Sequence, residues 1–246
     1  MKKRYLVFII CMIMLNAVSA CGVENGIGNI QDTNDVMDTG VTSESESQDT
    51  AAETETDTED AYEPSDATFV RVRDYIPTIQ IDLRYATTNN FTGQIIYTFD
   101  EAYLRYGTVL KLQHVAEELE AYGYGIKIWD AFRPLQAQRK LWQVCPDERY
   151  VSHPDKGNRN HCRGLAVDIT LYDLQTGKEV EMPSGFDEFS EQGNRDYSDC
   201  IKAVGERAQL LEEIMKKHGF KGYSKEWWHY NDTDTYPLEE QFVPEP

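Results

Sequence analysis

An α+β fold, with a central antiparallel sheet flanked by helices, is what this sequence of 246 residues predicts. Three observations predict it. Alternating runs near residues 69–83, one apolar run at 165–171 and an aromatic-rich run at 223–230 read as strands. Two segments carry apolar residues at helical spacing. Strands and helices do not alternate strictly, which argues against a parallel βαβ plan and for an antiparallel sheet.

Residues 1–21 form a targeting segment. Lys2, Lys3 and Arg4 make a positive start, and Tyr5 to Leu15 is an apolar run too short to span a bilayer comfortably. Val18-Ser19-Ala20-Cys21 resembles a bacterial lipobox, in which Cys21 takes the lipid and becomes the new N-terminus. The expected location is extracytoplasmic, tied to the cell membrane through that lipid anchor only. An ordinary signal peptide cut near Ala20 is the other reading, and both export the chain.

Residues 22–66 hold 14 acidic side chains, no Lys or Arg, and many Thr and Ser. Such a stretch cannot bury enough apolar surface to offset its ordering entropy, so a disordered, self-repelling tether is expected. Residues 67–246 carry 29 acids against 21 bases. The formal net charge of −19 is therefore mostly the tether's, and no basic nucleic-acid footprint is present.

The folded part should start near Phe69. Phe69–Arg73 and Ile79–Leu83 alternate as half-buried strands do. A helix is expected over 101–122, with Leu112, Val115, Ala116 and Leu119 on one face and Gly123 as its stop. Ile126–Trp129 is a short strand, and Pro134 suits the first turn of a helix running through Leu141 and Trp142. Leu165–Leu171 is the strongest strand. Ile201–His218 is an amphipathic helix with Val204, Ala208, Leu211 and Met215 inward, and Tyr223–Tyr230 is the final strand. Cys145, Cys162 and Cys200 allow at most one disulfide and leave one spare thiol.

Of five histidines, His114, His153 and His218 read as structural or solvated. His161 and His229 differ. His161 precedes an apolar strand containing Asp168, a carboxylate costly to bury unless paired or metal-bound. His229 closes Glu226-Trp227-Trp228-His229. On a regular strand Glu226 and His229 point to opposite faces, so a bend or bulge is needed to converge them. Two His and one carboxylate with an open fourth position make a catalytic zinc site. Cys162, beside a ligand, would close that site and is not counted among its ligands.

These motifs resemble the D-Ala-D-Ala dipeptidases, zinc metallopeptidases linked to vancomycin resistance. His161-Cys-Arg-Gly-Leu-Ala-Val-Asp168 is similar to their His-x6-Asp motif and Glu226-Trp-Trp-His229 to their Glu-x-x-His motif. Asp82-Leu-Arg-Tyr-Ala-Thr87 with Asn90-Phe-Thr-Gly93, Asp130-Ala-Phe-Arg-Pro134 and Phe186-Asp187-Glu-Phe-Ser190 agree as well, and the likeness covers about 69–232. It implies zinc on His161, Asp168 and His229, Glu226 as general base, Arg133 as transition-state stabiliser and Asp187 as partner of the substrate's free ammonium. The implied fold is a small α+β domain shared with D,D-carboxypeptidases and hedgehog-type domains. Related proteins often carry Ser two residues before the first His, where it helps bind substrate; Arg159 stands there.

The expected activity is zinc-dependent hydrolysis of D-alanyl-D-alanine or similar cell-wall dipeptides. A D,D-carboxypeptidase acting on peptidoglycan stem peptides is the enzyme alternative, and a non-catalytic zinc module that binds wall peptide is the alternative of another class. Asp187 separates the first two, because an ammonium binder caps the side on which a carboxypeptidase must admit a longer chain. Export cuts the other way, since free D-Ala-D-Ala is made in the cytoplasm. Glu226 and Arg133 argue against the non-catalytic reading. For Arg133 the bland alternative is a structural ion pair with Asp130, and for Asp187 a helix cap or loop contact.

Overall fold

A computed structural model describes residues 63–245. The segment expected to direct export, with Cys21, and the acidic segment up to residue 62 lie outside the described residues.

The chain enters through β1 (Phe69–Arg71), a 3-10 turn (Val72–Asp74) and the two-residue β2 (Gln80–Ile81). A 3-10 turn at Arg84–Ala86 leads towards β3 (Tyr103–Arg105), which runs directly into α1 (Tyr106–Glu120). Next come β4 (Tyr124–Asp130), α2 (Leu135–Val144), a 3-10 turn (His161–Arg163) and β5 (Ala166–Asp173). Two 3-10 turns (Glu191–Gly193 and Tyr197–Asp199), α3 (Lys202–Lys217), β6 (Phe220–Tyr223) and β7 (Glu226–Asp232) complete it.

The main sheet has the order β2-β4-β5-β7-β6. It is antiparallel except for the short β2–β4 pairing, which is parallel and so qualifies the expected sheet. β1 and β3 pair antiparallel in a separate two-stranded sheet. The α+β class holds.

β5 is buried along seven of its eight residues, as a central strand covered on both faces must be. α1 contacts β4 and α3, and α3 contacts β6 and β7. The inward residues expected of both helices are all buried. Gly123 follows α1 at φ +82, the left-handed conformation glycine adopts freely. Among the described residues no helix is long and apolar enough to cross a membrane.

Two local expectations are corrected, and the cysteines satisfy the limit of at most one disulfide. The helix expected from residue 101 starts at Tyr106, because Tyr103–Arg105 are buried and extended against β1. Arg105 is itself buried and donates from Nε to the Arg163 carbonyl, at 2.9 Å, and from Nη1 to that of Ala67, at 2.6 Å. The last strand is a hairpin, with Ser224 and Lys225 between the paired Tyr223 and Glu226. Cys145, Cys162 and Cys200 are all free thiols.

Candidate metal centre and catalytic cleft

The sheet carries a row of three chemical side chains. Asp130 ends β4 and pairs with Asp168 of β5, which pairs in turn with His229 of β7. Cα atoms directly opposite in an antiparallel ladder lie only about 4.5–5.5 Å apart, so adjacency of these groups is built into the register.

A bulge completes the row. Gly222 pairs with Tyr230, yet Tyr223 pairs with Glu226, so Trp227, Trp228 and His229 form an extra loop of strand. Trp227 and Trp228 lie within this bulge and are both buried. The bend predicted between Glu226 and His229 is thereby present: Glu226 Oε2 lies 3.8 Å from His229 Nδ1.

His161 arrives from the turn before β5. That turn ends on Gly164 at φ +71, where a Cβ would lie 2.5 Å from the Phe69 ring. The His161 carbonyl accepts from the Gly164 and Arg133 amides, at 3.0 and 3.2 Å.

His161, Asp168 and His229 present ligand atoms all within 4.8 Å of one another. His161 Nδ1 is 2.8 Å from the Ala131 carbonyl, which can only accept, so that nitrogen carries the proton. His229 Nε2 is 3.1 Å from Asn231 Oδ1, which also accepts from Asn160 Nδ2 at 2.7 Å. The proton of His229 is thus on Nε2.

His161 Nε2 and His229 Nδ1 are left as bare lone pairs 3.2 Å apart. They face Asp168, whose Oδ1 is 2.9 Å from His229 and Oδ2 3.4 Å from His161. Three electron-rich atoms packed this closely repel unless a cation or proton lies among them. Burial opposes the charge on Asp168, and positive charge at the His161 and His229 rings, carried by protons or by a cation seated between them, is what holds its carboxyl well below the usual carboxylate range. Two imidazoles, one ionised carboxylate and hydrogen-bonded outer nitrogens are the donor set and outer shell of an open zinc site.

Glu226 is half-buried and makes no side-chain hydrogen bond among the described residues. Burial pushes its carboxyl up to about 7; Asp168 and Asp187 add to the rise, while His229 and Arg133 oppose it.

Arg133 is buried. Its Nε and Nη2 donate to Asp130 Oδ2 at 3.1 and 2.5 Å, and Nη1 donates to Gln138 Oε1 at 2.9 Å. The structural ion pair with Asp130 therefore exists. Asp130 also accepts from the Tyr97 hydroxyl at 2.5 Å. A guanidinium has five donors, so one proton on each Nη is still free on a side chain that lines the cleft. The ion pair and a role in the cleft are compatible: the first orients the second.

Asp187 lies in the same cleft and accepts from the Tyr85 hydroxyl at 2.7 Å. At φ +53 it is the one non-glycine residue of positive φ among the described residues, a conformation Asp tolerates better than most. Burial pushes its carboxyl up to about 8; the Tyr85 hydrogen bond and Arg133 oppose that rise, and Asp168 adds to it.

The cleft has a volume of about 250 Å³. Pockets for drug-sized ligands run to about 300–1,000 Å³, so this one suits something smaller. All the residues singled out from the motifs, namely His161, Asp168, His229, Glu226, Arg133 and Asp187, line it together. Cys162 is buried and lies outside the group that could hold a metal. His114 and His218 pair with Glu117 and Glu118, and His153 packs on Trp142. Sequence reasoning assigned no role to Tyr85, Gln138, Asn160 or Asn231. Asn231 was accessible to it, since it lies two residues after His229 on a strand and so on the same face.

Residues 65–245 match the family model described as D-ala-D-ala dipeptidase. A D-alanyl-D-alanine dipeptidase of Escherichia coli (strain K12) is 38% identical over 164 residues, covering 66% of this chain and 84% of that protein. One from Enterococcus faecalis (strain ATCC 700802 / V583) is 30% identical, covering 63% and 87%. One from Streptomyces coelicolor (strain ATCC BAA-471 / A3(2) / M145) is 30% identical, covering 66% and 90%.

Proposed function

The chain belongs to the D-ala-D-ala dipeptidase family, and on that premise we propose that it hydrolyses D-alanyl-D-alanine or similar cell-wall dipeptides with a zinc ion held by His161, Asp168 and His229. The observation that carries the reading is the pair of bare imidazole nitrogens 3.2 Å apart against an ionised carboxylate, with an unbonded carboxyl, Glu226, beside them.

The chemistry such an ion supplies when bound is Lewis acidity towards a carbonyl and an acidified water. Glu226 takes the proton of the attacking water and returns it to the leaving amine nitrogen. A carboxyl pushed up to about 7 is matched to both halves of that task near neutral pH. The two free Nη protons of Arg133 meet the negative charge that develops on the carbonyl oxygen, a contribution of roughly 3–4 kcal/mol in comparable sites. Asp130 and Gln138 hold that guanidinium still beforehand. Asp187, fixed by Tyr85, receives the substrate's ammonium and closes the cleft to N-terminal extensions, which favours a dipeptide over a stem peptide.

The enzyme acts outside the cytoplasm in this reading, with Cys21 carrying the lipid and residues 22–66 serving as a tether. Support comes from the lipobox-like Val18–Cys21 and from 14 acids without a base in the tether.

Metal analysis with matched kinetics tests the centre. His161→Ala and His229→Ala should lose stoichiometric zinc, whereas Glu226→Gln should keep it and lose at least about a hundredfold in turnover. Histidine variants that retain both zinc and activity would overturn the ligand set. Zinc loss in Glu226→Gln would make that residue a ligand instead.

A further inference from the structure

We infer that Arg195 is a positioning residue of this centre: from behind the cleft, it locks the bulged hairpin that brings Glu226 and His229 together. The inference rests on the dipeptidase reading above.

The bend between Glu226 and His229 has a structural cost. A bulge disrupts the regular ladder, so its backbone groups need partners from elsewhere. Arg195 supplies them. Its Nε donates to the Tyr223 carbonyl at 2.8 Å, and its Nη2 donates to the carbonyls of Trp227, at 3.0 Å, and His229, at 2.9 Å. Its own amide donates to the Ser224 carbonyl at 3.1 Å. One residue therefore grips the chain before Glu226, after Glu226 and at His229 itself. A guanidinium is a planar, rigid fork, so carbonyls bound to two of its nitrogens are fixed relative to one another.

The fold is built around this side chain, which is only 10% exposed. Its Nη1 donates to the Tyr230 hydroxyl at 3.2 Å and pairs with Glu212 Oε2 of α3 at 3.0 Å, so its charge is answered inside the protein. Gly222 of β6 makes room for it, because a Cβ there would lie 2.3 Å from Arg195 Cζ. Glycine inside a strand often marks such a close approach. All three side-chain nitrogens are engaged by the protein. Tyr223, Glu226 and His229 line the cleft, and Arg195 is not among the described residues that do. Arg195 thus reaches the reaction only through the two groups it places. Arg133 and Asp187, which receive substrate in the reading above, follow β4 and β5 and receive none of its bonds. Its loss should therefore fall on turnover and metal affinity, and spare KM.

The test uses Arg195→Lys and Gly222→Ala. The first keeps the charge beside Glu212 but lacks the fork; the second keeps the arginine but pushes its guanidinium out of place. Val115→Ala, a truncation of a buried residue on α1, controls for lost stability. Zinc affinity is measured by competition with a chelator, Tm by calorimetry, and kcat and KM for D-Ala-D-Ala on zinc-saturated protein. Arg195→Lys and Gly222→Ala should each lower kcat about ten- to hundredfold and weaken zinc binding by at least about tenfold, with KM within about threefold of the parent. Val115→Ala should lower Tm and leave the other three unchanged. Either Arg195→Lys or Gly222→Ala, folded and with kcat and zinc affinity within about twofold of the parent, overturns the inference. So does an equal loss of kcat and zinc affinity in Val115→Ala, or a change in KM alone. A parent that binds zinc but hydrolyses no dipeptide defeats the dipeptidase reading, and the zinc affinities then still decide the role of Arg195. A parent that binds no zinc defeats both.

Discussion

Removing one oxygen from Tyr85 should weaken substrate binding without touching the chemistry. Its hydroxyl donates to Asp187 Oδ2 at 2.7 Å, and Tyr85 is 2% exposed, so no water replaces the bond easily. Tyr85→Phe keeps the ring, and with it the packing on Tyr97, Phe91 and Phe186 and the stacking under Arg133. What is lost is one hydrogen bond to a charged group, worth about 1.5–3 kcal/mol. At 1.36 kcal/mol per unit, that raises the Asp187 carboxyl by roughly one to two pH units. Asp187 already stands at about 8, so the ionised fraction near neutral pH falls by the same roughly ten- to hundredfold. The KM for D-Ala-D-Ala should rise by that factor, with kcat and zinc content unchanged. Steady-state kinetics with metal analysis on the same preparations reads all three. A KM within twofold of the parent would refute the claim that Tyr85 favours the ionised, ammonium-binding form of Asp187. A fall in kcat alone would place Tyr85 in the chemistry instead.

The same carboxyl makes binding depend on pH. Free Asp187 is protonated below about 8 and must lose that proton to take an ammonium, so 1/KM should rise by up to about tenfold per unit from pH 6 towards 8. Asp187→Asn should abolish that limb, and a limb that persists contradicts its assignment. Gly164→Ala forces a Cβ to within 2.5 Å of Phe69 at φ +71, a strain of about 1–3 kcal/mol that should lower Tm by roughly 2–12 °C in calorimetry; an unchanged Tm would contradict the packing described. Deleting residues 22–62 should leave kcat and Tm unchanged, and Cys21→Ala should move the protein from the membrane to the soluble fraction. Loss of activity on deletion, or membrane retention in Cys21→Ala, would count against the tether and anchor.

Much of the site is legible in the residues themselves. Asp168 inside Leu165–Leu171 is conspicuous because an ionised group in an apolar strand needs a partner, and the register supplies His229. His161 needs no periodicity, since its turn before Gly164 is local. The convergence of Glu226 with His229 demands a bend, and strand periodicity says so; that the bend is a bulge burying two adjacent tryptophans depends on cross-strand register, which no single run encodes. Tyr103–Arg105 shows the opposite case. Their neighbourhood reads as helix, yet the partner that makes them a strand is Phe69–Arg71, more than thirty residues earlier. The β6–β7 turn is missed for a related reason, as Ser224-Lys225 lacks the Asn-Gly or Asp-Gly signature of tight hairpins. The binding of Asp187 by Tyr85 spans 102 positions and is visible only in three dimensions.

The central claim is that this cleft cleaves a dipeptide whose ammonium is clamped by Asp187. Mass spectrometry of the zinc-loaded protein incubated separately with D-Ala-D-Ala, N-acetyl-D-Ala-D-Ala and a muramyl pentapeptide tests it most directly. The free dipeptide should be consumed at least about tenfold faster than the acetylated one, since a charged hydrogen-bonded pair of about 1.5–3 kcal/mol exceeds the 1.4 kcal/mol of one decade. The pentapeptide should remain essentially intact over the same interval. Faster release of D-alanine from the pentapeptide or the acetylated dipeptide would contradict the account, and would make the enzyme a carboxypeptidase built on the same metal centre and the same base.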